Sequence, residues 1–165
     1  MSSNAKKFNE QVWSQSIKEL IRRASTRLPD DVYSALKEAA EAAEVPRTAS
    51  ILSTICRNAD IARANCKPMC QDTGTLTFWV ETPCDISQNK IRKAICRAVA
   101  DATSEGYLRQ NTILPIDGKS VPSNVADGAP SIHFEESEEV EFVRISLLMK
   151  GGGCELEIVE HVITL

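Results

Sequence analysis

Pro29 and Pro46 fall inside a long stretch of helical periodicity, and together they decide how residues 1–66 are able to fold. A proline removes an N–H and clashes with the preceding turn, so each ends one helix and permits another to start. The first helix spans residues 8–24. Its Phe8, Val12, Trp13, Ile17, Leu20 and Ile21 recur at helical spacing among charged residues. Asp30 or Asp31 caps the second, in which Val32, Leu36, Ala39, Ala40 and Ala43 share one face. Thr48 or Ser50 caps the third, whose Ile51, Ile55, Ala59 and Ala62 point to the core. All three stripes read as core faces without chemistry, with Asn58 and Asp60 solvated or locally hydrogen-bonded.

Past residue 74 the pattern changes. Residues 75–80 are β-branched and aromatic and read as a strand. A loop over residues 83–87 leads to Ser87, the cap of a fourth helix carrying Ile91, Ala94, Ile95, Ala98, Val99 and Ala102 and ending near Gly106. Residues 140–149 form a further strand. Between them, residues 107–131 hold three prolines and two glycines in one irregular stretch, a length of loop that usually carries function. Arg109 and Asn111 open it. The acidic run from Glu135 to Glu141 reads as a solvated face or turn, and His133 and His161 as structural or surface residues. The expected fold class is α/β: a helical N-terminal third, then a mixed α/β region, in a single domain over 1–165. Within it, 1–66 is helical, 67–154 is α/β, and 155–165 is a divergent tail.

Two polar motifs interrupt this scaffold. Lys67-Pro68-Met69-Cys70-Gln71-Asp72-Thr73-Gly74 sets a thiol, an amide, a carboxylate and a hydroxyl side by side on a turn between a helix and a strand. Polar groups on a turn held by packed elements are a common way to build a site. Lys150-Gly151-Gly152-Gly153-Cys154 follows the last strand, where glycines admit a ligand closely and aim N–H groups at an anion. The lysine precedes the glycines, so this is not a phosphate-binding P-loop.

Composition narrows the functional classes. A net charge of −4 and a pI near 5.3 give no broad basic field for nucleic acid. No apolar run approaches the roughly 20 residues of a membrane helix. The first ten residues lack the apolar core of a secretory signal, which points to the cytoplasm. The six cysteines are then expected as reduced thiols, Cys56 and Cys96 as small core residues. Cys66 and Cys70 lack a second Cys/His pair at zinc-site spacing.

Taken together, Leu28-Pro29-Asp30-Asp31-Val32, Ile55, Asn58 and Ala62, Pro68 to Gly74, Arg109 with Asn111-Thr112, and Lys150 to Gly153 occur in an order that resembles the α part of class I (iron–sulfur) fumarases and L(+)-tartrate dehydratases. The resemblance covers roughly residues 10–155. It implies a hydro-lyase that adds or removes water reversibly at a dicarboxylate. It also implies a [4Fe–4S] cluster with Cys70 as one ligand, Gln71 and Asp72 as catalytic and substrate-binding groups, and Arg109, Gly151 and Gly152 as further substrate contacts. The partners it implies are the remaining α portion and a β part or subunit, with no nucleic acid and no membrane.

Cys70 matches only one of the three cluster thiolates, and Cys154 stands where the family has a serine. Residues 155–165 follow no recognised family pattern. The chain is therefore expected to be the N-terminal part of such an α subunit, inactive alone. The alternatives are an inactive relative that serves as a binding domain, and a thiol or zinc module using Cys66 and Cys70. If the resemblance holds, residues 70–74, Arg109 and 151–153 converge on one concave surface bordered by exposed apolar side chains.

Overall fold

The computed structural model describes residues 9–70, 72–114, 116–151 and 162–164. The chain runs α1 (Glu10–Thr26), α2 (Asp30–Ala42), α3 (Pro46–Asn65), β1 (Thr75–Thr82), α4 (Gln88–Ser104), β2 (Ser131–Glu136), β3 (Arg144–Lys150) and β4 (Val162–Thr164). This is the expected helical third followed by a mixed α/β region. The strands form one sheet in the order β2-β1-β3-β4. β1 is parallel to β2, with Trp79 opposite His133, and antiparallel to β3, with Thr75 opposite Lys150.

Alternation along the strands decides what the sheet buries. Leu76, Phe78 and Val80 of β1 and Ile145, Leu147 and Met149 of β3 face one side. There they meet Ile17, Leu20 and Ile21 of α1 and Ile91, Ile95, Ala98 and Val99 of α4 in a single core. The other face is open and carries Trp79, 45% exposed, stacked on His133 with ring centroids 5.6 Å apart.

Several expectations are corrected. The second helix is no core helix: α2 has no buried residue, because it packs mainly on α3, itself at the edge of the core. Ile51 and Ile55 are exposed, whereas Ala59, Ala62 and Cys56 are buried as expected. Val12 is also exposed. The caps expected for α2 and α3 are not used, whereas Ser87 is the N-cap of α4 as expected. Pro29 and Val45 are the N-caps, with Asp30 and Asp31 in the first turn of α2 and Pro46 at the start of α3, where its missing N–H costs nothing. Residues 131–136 are a strand, not loop and solvated run; they pair with β1 because α4 returns the chain parallel to it. β3 begins at Arg144 and not at residue 140. Phe8, His161 and Cys154 lie outside the described residues. The five described cysteines are free thiols, with Cys56 buried and Cys96 half-buried.

Candidate functional site

The turn after α3 is fixed from three sides. α3 ends on Cys66 in the left-handed conformation (φ +50), and both Cys66 and Lys67 donate their N–H to the Ala62 carbonyl. The Met69 N–H donates to the Ser25 carbonyl of α1 at 3.0 Å. Asn58 reaches out of α3 to donate to the Met69 carbonyl at 2.9 Å. Asn58 is exposed, as its sequence context suggested, but its side chain also ties the helix to the turn that carries Cys70. The Cys66 thiol accepts from Arg22 at 3.6 Å.

Beyond the turn, a polar network joins distant segments. Asp72 Oδ1 accepts from the Gly74 N–H at 2.9 Å, closing an Asx turn, and from Asn111 Nδ2 at 3.0 Å. Thr73, buried, accepts the Arg109 N–H at 3.1 Å and lies 3.4 Å from Asn111 Nδ2. Gly74 (φ +71) sits so close to the Lys150–Gly151 peptide that a Cβ would overlap the Lys150 carbonyl. The 72–74 turn, Arg109–Asn111 and the end of β3 therefore meet. The Arg109 guanidinium is exposed and forms no ion pair among the described residues. Gln71 and Gly152, expected site residues, lie outside the described residues, as does Gly153.

A groove of about 360 Å³ opens beside this network, lined among others by Gly74, Thr75, Asn111, Asn124 and Pro130. A larger one, about 470 Å³, lies on the open sheet face along Trp79, His133 and Leu148, away from these polar groups. Convergent polar side chains mark a small-molecule site better than volume does, so we assign the site to the smaller groove. Exposed apolar side chains lie on the helix that precedes the Cys70 turn. Ile51, Ile55 and Asn58 follow at i, i+4 and i+7, so the two exposed isoleucines share a side of α3 with the residue that holds the Cys70 turn.

Asn124 is the residue that sequence reasoning missed. Its side chain binds Arg109, Asn111 and Thr112 across the loop, and nothing in the local sequence announces this. Asn111 itself was noticed only as a neighbour of Arg109. Cys70 is exposed, and among the described residues no group of three or more Cys, His, Asp or Glu is gathered that could hold a metal ion. These residues do not assemble the thiolate set of an iron–sulfur cluster. The chemistry of the described site is that of its carboxylate, amide, hydroxyl and guanidinium groups.

The sequence matches the fumarate hydratase (Fumerase) family over residues 14–163, which carries the likeness into the segment 155–165 that showed no pattern by itself. A Geobacillus stearothermophilus protein named for class I fumarate hydratase is 36% identical over 148 residues, 89% of this chain and 29% of its own length. A Methanocaldococcus jannaschii protein named for the L(+)-tartrate dehydratase α subunit is 33% identical over 86% of this chain and 51% of its own. The L(+)-tartrate dehydratase α subunit of Escherichia coli is 30% identical over 80% of this chain and 44% of its own. The chain thus spans about half or less of the length of these relatives. It belongs to the fumarate hydratase (Fumerase) family.

Proposed function

We propose that this chain is the N-terminal, α-type part of an iron–sulfur-dependent hydro-lyase that adds or removes water reversibly at a dicarboxylate, fumarate/malate or tartrate. The observation that carries the reading is the network in which Asp72 and Thr73 bind Arg109 and Asn111 beside the Lys150–Gly151 peptide. Arg109 presents an exposed planar fork suited to a carboxylate. The Asp72 carboxylate is oriented by two donors, as a group that moves a proton or holds a hydroxyl must be. Gly151, whose peptide lies against Gly74, is a further substrate contact in this reading, and Gln71 and Gly152, outside the described residues, are assigned to the substrate by the resemblance alone. Cys70 is the candidate for one cluster ligand, and the other thiolates have to come from outside the described residues. The remaining α portion and a β part or subunit complete the site, as the length of the relatives supports. In this reading the protein works in the cytoplasm. No helix of the described residues is long and apolar enough to cross a membrane.

A second reading, a catalytically inactive relative acting as a binding domain, is favoured by the single thiolate at the described site. A thiol or zinc module built on Cys66 and Cys70 is disfavoured by Arg22, whose positive charge lies against the Cys66 sulfur where a dication would have to sit.

Anaerobic reconstitution with iron and sulfide, followed by fumarate hydration and tartrate dehydration assays, tests the proposal. The chain alone should show no turnover. Supplemented with the remaining α portion and the β part of a relative, it should turn over. That activity should be lost in Cys70→Ala and reduced about a hundredfold or more in Arg109→Ala. Turnover by the chain alone, abolished by Cys70→Ala, would overturn the partial-subunit reading. No turnover in either mixture would leave the inactive relative.

A further inference from the structure

Asn124 stands in the middle of the long loop, 5% exposed and in the left-handed conformation (φ +56). Both N–H donors and both acceptor positions of its amide are used. Nδ2 donates to the Arg109 carbonyl at 2.6 Å and to Thr103 Oγ1 at 3.1 Å. Oδ1 accepts the N–H groups of Asn111 and Thr112, each at 3.0 Å. Thr103 belongs to the last turn of α4, so the clamp references the loop to a helix of the core. We infer that Asn124 is the positioning residue of the Asp72–Arg109 site, and that it acts through the backbone of residues 109–112. The inference rests on the reading of that site as one for a dicarboxylate.

Two isolated bridges, Ile113–Ser120 and Ala126–Ala129, pair the loop with itself, and the Asn124 bonds add what fixes residues 109–112 against α4. Residue Arg109 is gripped at both ends of its backbone: its N–H by Thr73 and its C=O by Asn124. Its backbone is held while its guanidinium is exposed, with no ion pair among the described residues. Asn111 is held by its N–H, which leaves Nδ2 to bind Asp72 and Thr73. Removing the amide would loosen the backbone under the cation and under the Asp72 partner together, leaving the Thr73 bond and the Asn111–Arg109 backbone bond to hold them. No other side chain repeats the set: aspartate lacks the two donors, and glutamine is one carbon longer. Asparagine also tolerates the left-handed backbone better than most residues.

The test uses the whole chain, amide exchange, and NMR titration with fumarate, L-malate and L-tartrate, with acetate as monocarboxylate control. Asn124→Gly keeps the backbone conformation and removes all four bonds. Exchange at Asn111 and Thr112 should rise about tenfold or more, and the fumarate-induced shifts at Arg109 should be lost. Asn124→Asp keeps the two acceptor bonds. Protection at Asn111 and Thr112 should persist while the fumarate response at Arg109 weakens, so this variant carries the test if the glycine variant does not fold. Thr103→Val removes the hydroxyl's bonds to Asn124 and to the Val99 and Ser123 carbonyls, but leaves the three bonds of Asn124 to residues 109–112. It should lower thermal stability without changing the fumarate response. Exchange and shifts within about twofold of wild type in Asn124→Gly, or a fumarate response weakened as much by Thr103→Val, would overturn the inference. If the unmodified chain responds to none of the dicarboxylates, the reading of the site falls. The exchange rates then still decide whether Asn124 holds the loop.

Discussion

Gly74 and Gly118 share a left-handed backbone, with φ of +71 and +66, but differ in what lies beside them. A Cβ at Gly118 would meet open space, whereas at Gly74 it would overlap the Lys150 carbonyl that β1 pairs against. Gly118→Ala should therefore cost about 1 kcal/mol, from conformation alone. Gly74→Ala should cost at least about 2 kcal/mol, because backbone cannot give way as a flexible side chain can. Urea unfolding of both variants measures the difference, and equal losses would mean that β3 moves aside. Charge acts at the same scale in Glu19. Arg22 binds it through two nitrogens at 2.6 Å and Arg23 through Nε at 2.8 Å, and chiefly the Arg22 bonds hold its carboxyl at about 2, against a usual 4.5. With the folded value depressed, the unfolded chain takes up the proton first as pH falls. The stability from this triad is complete above about pH 4.5 and lost progressively toward pH 2. Because the side chain is 37% exposed, the amount is only about 1 kcal/mol or less. Glu19→Gln should be destabilised relative to wild type at pH 7 and match it near pH 2. A difference that does not shrink with acid would show that shape, and not charge, is responsible.

Among the helices, an apolar stripe has two different meanings. α1 and α4 lay theirs on the sheet, and Ile17, Ile21, Ile91 and Ile95 are fully buried. α2 and α3 pack mainly on each other at the edge of the core, so Val32, Ile51 and Ile55 remain in solvent. The same substitution should separate the two classes. Ile95→Ala is expected to cost about 2–5 kcal/mol through transfer and cavity terms. Ile51→Ala should stay within about 0.5 kcal/mol, the range of surface changes. Thermal or urea unfolding reads both. A large loss at Ile51 would place that residue in an interface the isolated chain forms in solution. The exposed stripe leads to the turn that carries Cys70, which fits a surface completed by further polypeptide.

Across the whole molecule, one face of the sheet is closed by α1 and α4 and the other is open, with Trp79 and His133 stacked on it. The polar network lies where β1 begins and β3 ends, reached by the loop after α4. Residues 36 to 38 positions apart are joined there by hydrogen bonds, Arg109 to Thr73 and Asn111 to Thr73. Reconstitution with the missing length of a relative acts at this scale. It asks whether the described surface is half of a site, and no single-residue variant of the isolated chain answers that.

The sequence by itself determined the helices, the first strand and the family, because local periodicity, proline positions and the Pro68–Gly74 motif are all short-range signals. It also placed Arg109 and Asp72 among the candidate site residues, through motif order alone. It did not determine which apolar stripe is buried. The stripes of α1 and α2 look alike in sequence, and only the docking of α1 on the sheet separates them. β2 escaped notice because its serine, histidine and glutamates mask a strand whose pairing depends on β1, more than 50 residues earlier. Asn124 escaped for the same reason. Its role consists of four hydrogen bonds to residues 12 to 21 positions away, which exist only once the loop has closed on α4.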